Sequence, residues 1–108
     1  IFLGVIAPQE WPAHLARMCD FWSGALLGTS RYRGKPLPPH LAIPDLQETH
    51  FRRWLVLFRR TVRAKCPPEV ADLFMVRATR IAYSFRLAIA HHRGEDTLSI
   101  QPILEADL

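Results

Sequence analysis

The stretch RYRGKPLPPHLAIPDL, Arg31 to Leu46, decides how the rest of the chain is read. It sets one histidine, His40, among four prolines, Pro36, Pro38, Pro39 and Pro44. Proline fixes φ and donates no amide, so together with Gly34 these residues rule out a long helix over 29–44 and predict extended or polyproline-like backbone with room for one turn. A connector pinned in this way loses little entropy on ordering. Its imidazole can then be held in one orientation, as an axial metal ligand requires. Histidine in a surface loop is common too, so the functional reading of His40 needs a second feature.

Helices flank the connector. Upstream, WPAHLARMCDFWSGALLG places Pro12 in a first helical turn and repeats apolar residues at Leu15, Met18, Trp22 and Leu26 before Gly28, which predicts a helix of about four turns. Downstream, Asp45 followed by Glu48 reads as an acidic cap, and Phe51, Trp54, Leu55, Phe58 and Val62 predict a second helix over about 46–65. Pro67 and Pro68 break it. Val70, Leu73, Phe74, Ala78, Ile81, Ala82, Phe85 and Ile89 then predict a third helix of roughly 22 residues, ending before Gly94. The tail EDTLSIQPILEADL has too little periodicity to assign, and strand signals are absent. The expected fold is all-α, three amphipathic helices and a rigid connector.

At 108 residues, 49% hydrophobic and 22% charged, the chain is expected to form one small domain whose modest core leaves room for a ligand or partner to add stability. No apolar run approaches ~18 residues and no leader pattern is present, so a soluble, cytoplasmic protein with no membrane partner is expected. The opening IFLGVIAP, without Met, reads as the end of something longer. Cys19 and Cys66 are far apart with no CxxC pattern and are expected as buried or half-buried thiols. Charge divides the chain: residues 1–94 carry all 14 lysines and arginines against six acids, and 95–108 carry four acids and no base. A domain over 1–94 and an acidic tail over 95–108 are expected, the basic body attracting nucleic acid or the carboxylates of a cofactor.

His14, Met18 and Trp22 stand at i, i+4 and i+8, so a histidine heads an otherwise apolar stripe, with Arg17 on its flank. His50, one turn before Trp54, is a competing ligand candidate or a solvent-facing residue of a first turn. His91 and His92 read as surface groups favoured by a helix C-terminus. Arg52, Arg53, Arg59, Arg60 and Arg63 make the second helix basic, but neither stacking aromatics nor a short helix-turn-helix accompanies them, and a solvated face is expected. No nucleophilic triad, glycine-rich phosphate loop or carboxylate pair can be picked out.

Three segments taken in order carry more than any single histidine: WPAHLARMCDFW (11–22), LLGTSRYRGKPLPPHLAIPDL (26–46) and HFRRWLVLF (50–58). The pattern W-x2-H-x7-W, then Y-x-G-x-P-L-x-x-H-L, then F-x-x-W-L-x-L-F closely resembles the group III truncated haemoglobins, from about Phe2 to Ile89. The resemblance implies a two-over-two helical sandwich around haem b, iron protoporphyrin IX, with His40 as proximal ligand. It removes the claim of His50. It implies a distal wall of His14, Met18 and Trp22 joined by Trp54, a Phe2 against the haem plane, and propionate pairing by Arg17, with Arg33 and Lys35 as weaker candidates. Leu37, Leu41, Phe58, Ile81 and Phe85 would line the pocket. The implied ligand is a diatomic gas, oxygen, nitric oxide or carbon monoxide. Nitric oxide dioxygenase-like or peroxidase-like activity served by a reductase stays open. The family also has two helices before the phenylalanine resembled by Phe2, the second bearing a ligand-bonding tyrosine, and residues 1–108 show neither. The alternatives are a basic helical module binding nucleic acid and a haem-free, globin-derived interaction domain.

Overall fold

The computed structural model describes residues 6–28 and 35–108. They fall into two compact units, the first ending at Gly34 and the second running Lys35–Leu108. In the first, a 3-10 turn, Pro8–Glu10, leads into helix α1, Trp11–Leu27, with a proline in the first turn of each. Gly28 ends α1 in the left-handed region at φ 71°, its N–H returning to the Gly24 carbonyl at 3.1 Å. Trp11, His14 and Met18 are half-buried, as is the whole run from Asp20 to Leu26, but Leu15 is 56% exposed. It lies one residue beyond His14, about 100° around the helix, and so leaves the stripe expected to contain it.

The second unit is built on two long helices. Helix α2, Leu37–Leu41, is the one turn that the prolines allow. Helix α3 is Glu48–Lys65 and α4 is Pro68–His92, longer than the periodicity predicts. The start of α3 differs from the expected acidic cap: Gln47 is the cap residue, and its N–H donates to Nδ1 of His50 at 2.9 Å. Three residues on from the cap, His50 fills the place that glutamate or glutamine takes in a capping box. Extended backbone at Cys66 and Pro67 then turns the chain into α4.

Phe51, Leu55 and Val62 of α3 are buried, as are Ala71, Met75, Ala78, Ala82, Ile89 and Ala90 of α4. Leu55 and Met75 are the largest side chains wholly enclosed. Alanines along α4 leave room for the bulkier side chains of α3, and each Leu or Met so enclosed contributes about 1.5–3 kcal/mol of hydrophobic transfer. Among the described residues no strand occurs, and no helix is long and apolar enough to cross a membrane.

The tail returns along α4. Gly94, at φ 72°, reverses the chain, Arg86 donates to the Gln101 carbonyl at 2.7 Å, and Ile103 is 3% exposed. A 3-10 turn at Glu105–Asp107 brings Leu108 against the core cluster of Val62, Ala71 and Met75. Cys66 is half-buried and Cys19 exposed, the latter one residue past Met18 and so off the half-buried stripe.

Candidate functional site

Helix α2 is the five-residue sequence LPPHL, which holds His40 next to its last position. Nδ1 of His40 lies 2.6 Å from the Pro36 carbonyl oxygen. A carbonyl can only accept, so Nδ1 carries the proton and the lone pair of the neutral ring is left on Nε2. This is the arrangement of a metal-ligating histidine, its second nitrogen anchored by a backbone acceptor that fixes tautomer and ring direction. The imidazole is half-buried, and the Phe85 ring of α4 stands 4.9 Å from it at 60°.

The other aromatic residues of the second unit sit on α3 and α4. Trp54 stacks on Phe58 at 5.0 Å and 26°, and Phe58 meets Phe74 edge-on at 5.9 Å. Leu37 and Leu41, one turn apart on α2, and Ile81 and Phe85, one turn apart on α4, are half-buried like Trp54 and Phe58. Each of the apolar residues expected to line a pocket in this unit is thus incompletely covered. Lys35, the first residue of the unit, is exposed. In the first unit, His14 lies 5.4 Å from the Trp11 ring in an edge-on contact, Met18 and Trp22 continue its side of α1, and Arg17 is exposed. Phe2 and Arg33 lie outside the described residues.

Two shallow depressions open on the second unit, one lined by Val76, Thr79, Tyr83 and Leu104, the other by Phe51, Arg86, Arg93 and Glu95. Neither includes His40. Among the described residues no three His, Cys, Asp or Glu side chains gather as a metal cluster.

Sequence reasoning missed two charged features. Arg93, just past α4, donates from Nη1 to the Leu46 carbonyl at 2.9 Å and from Nη2 to those of Ile43 and Pro44 at 3.1 and 2.9 Å. Its only signal in the sequence was a cation between two histidines and a glycine. The second feature joins the basic helix to the acidic tail: Arg59 and Arg63 both bond Glu105, Arg63 also pairs with Asp72 at 2.8 Å, and Arg52 donates to the Asp107 carbonyl. Partial burial alone would raise the Glu105 carboxyl, but the hydrogen bonds and charges of Arg63 and Arg59 outweigh it and hold the group below its ordinary value. The Arg63 guanidinium is pushed up, chiefly by its bonds to Glu105 and then Asp72. Three of the five arginines expected on a solvated face therefore have partners within the unit.

A single oriented histidine on a short proline-rich helix, with half-buried apolar side chains on the two long helices of its unit, is the candidate site of a helical protein. Over 86 residues, 80% of this chain and 68% of the relative, the sequence is 34% identical to the group 3 truncated hemoglobin ctb of Campylobacter jejuni. The chain belongs to the group 3 truncated haemoglobins, and its all-helical described residues accord with the truncated globin fold. No family model matches, and neither does any solved structure.

Proposed function

We propose that this globin-type haem protein holds haem b through Nε2 of His40 and binds a diatomic gas. The observation that carries the reading is the 2.6 Å bond from His40 Nδ1 to the Pro36 carbonyl, which leaves Nε2 as the donor and gives the ring one direction. When bound, the haem would be held by His40 and would supply an iron able to bind oxygen, nitric oxide or carbon monoxide.

The remaining roles belong to this chain's own residues. Phe85 packs beside the imidazole and limits its rotation. Leu37, Leu41, Phe58, Ile81 and Phe85 offer half-buried apolar surface that a porphyrin would cover, excluding water. Trp54 donates one hydrogen bond from its indole to the gas, and its stacking on Phe58 restrains the ring that does so. The family resemblance supports His14, donating or accepting according to its tautomer, with Met18 and Trp22 as residues of the distal wall. The same resemblance, not a contact in the structure, supports Arg17 as a propionate partner, Arg33 and Lys35 as further cations and Phe2 as the residue against the haem plane. The biological tasks compatible with these roles are oxygen or nitric oxide handling and peroxide reduction, the redox tasks drawing electrons from a reductase.

The test is an absorption spectrum of the purified protein, oxidised, reduced and then exposed to carbon monoxide. An intense haem band that shifts on adding the gas is the expected result. A colourless protein that also takes up no added haemin would overturn the proposal in favour of a haem-free role. Turnover assays with nitric oxide and with peroxide then separate the tasks.

A further inference from the structure

We propose that Arg93 is a positioning residue for His40, holding the turn that follows the ligand-bearing helix and so setting the direction in which Nε2 is presented. The inference rests on the reading of His40 as the haem ligand.

A helix as short as α2 does not hold itself in place, because a single turn returns too few hydrogen bonds for the dihedrals it fixes. Its exit is therefore tied from outside. Ile43 donates its N–H to the His40 carbonyl at 3.2 Å, and the Ile43 and Leu46 side chains are 8% and 3% exposed, so the turn begins on the histidine and is rooted in the core. Within that turn Pro44 can donate nothing, and one backbone bond, Leu46 N–H to Ile43 at 3.4 Å, closes it. Arg93 supplies donors to the carbonyls of Ile43, Pro44 and Leu46. A planar guanidinium can serve acceptors at several directions at once, where an ammonium is a point donor.

The base of this clamp is itself fixed. The Arg93 N–H bonds the Ile89 carbonyl at 3.0 Å, continuing α4, and Gly94 then turns away at φ 72°. The same helix carries Phe85 against the imidazole, eight residues earlier. α4 thus grips the ligand segment at two places, at the ring through Phe85 and at the following turn through Arg93. With the second grip removed, α2 can pivot on the first and the imidazole tilts with it. Glu95, 3.9 Å from Arg93 and more than half exposed, adds little to the clamp.

The experiment uses haem-loaded protein and reads the iron–histidine stretching band of the ferrous form by resonance Raman, together with the rate of haem transfer to excess apomyoglobin. Arg93→Gln is expected to lower and broaden the band and to speed transfer severalfold. Arg93→Lys is expected to do so less, and it carries the comparison if the glutamine variant does not fold. Glu105→Gln, which loosens the tail and leaves this turn intact, is expected to keep the parent band. A parent-like band in the Arg93 variants, even with lowered thermal stability, overturns the inference. A parent that binds no haem overturns it along with the function it rests on, and the two failures are distinguishable.

Discussion

Replacing His40 with alanine should remove the site while leaving the fold, and the structure sets how far apart those two effects lie. The substitution deletes one partly buried hydrogen bond to the Pro36 carbonyl, about 1 kcal/mol net, and one ring contact with Phe85, about 0.5–1.5 kcal/mol. Alanine returns up to about 0.7 kcal/mol through its better helix propensity. The apoprotein should therefore lose about 1–2 kcal/mol, which in a domain of this size lowers Tm by about 5–15 °C. Bound haem adds to the parent's stability by mass action, about 2.7 kcal/mol at a hundredfold excess over Kd, so apo and holo forms are to be unfolded separately in urea. The assay pairs those unfolding curves with ferrous and carbon monoxide spectra. The variant should lose the five-coordinate ferrous spectrum and regain much of it when free imidazole is added to occupy the vacated space. Unaltered parental spectra in the alanine variant would refute the assignment of the ligand. An apoprotein destabilised as much as by a core truncation would refute the view of His40 as a site residue rather than a packing one.

Further outcomes follow from other parts of the molecule. Leu55→Ala, at a wholly enclosed position, should cost about 2–5 kcal/mol in urea unfolding, and a loss below about 1 kcal/mol would mean that α3 is not seated as described. Glu105 has a carboxyl held below its ordinary 4.5, so its stabilisation is fully present above that value and is lost as pH falls through the lowered one; Glu105→Gln should flatten the acid limb of the stability profile, and an unchanged limb would count against the clasp. Trp54→Phe keeps an aromatic ring to stack on Phe58 but removes the indole donor, so gas dissociation measured by stopped flow should speed up. An unchanged rate would take Trp54 out of the distal role.

The periods and prolines made the helices legible. Pro12, Gly28, Pro67 and Gly94 mark ends that the structure keeps, because each acts through its own backbone and needs no distant partner. Asp45 failed as a cap for a reason outside its own segment. Core side chains at Ile43 and Leu46 and the fork of Arg93 hold the turn so that the helix begins after Gln47, with His50 at the position a capping box uses. The pairing on the basic helix was hidden for the same reason. Its five arginines are exposed, as expected, but the partner of Arg59 and Arg63 is Glu105, 42 residues beyond Arg63, which only the folded chain brings beside them. At the site itself, the sequence could nominate His40 through the proline pattern and the family resemblance. The proton on Nδ1 could be read only from the carbonyl placed next to it.

The docking of the tail has a consequence for how the protein is made. Ile103 is buried, Leu108 packs against the core cluster of Val62, Ala71 and Met75, and Glu105 bridges back to Arg59 and Arg63 of α3. On the ribosome the α3 and α4 segments emerge before the tail and can pair, but the apolar seam around Val62, Ala71 and Met75 lacks the cover of Leu108 until that residue has been added. At about 5–20 residues per second, the stretch after α4 leaves that seam uncovered for about a second or more. During that interval a nascent-chain chaperone would find its binding surface there, and stalling or premature termination just after Gly94 would yield a polypeptide with its helices made and its core still unsealed.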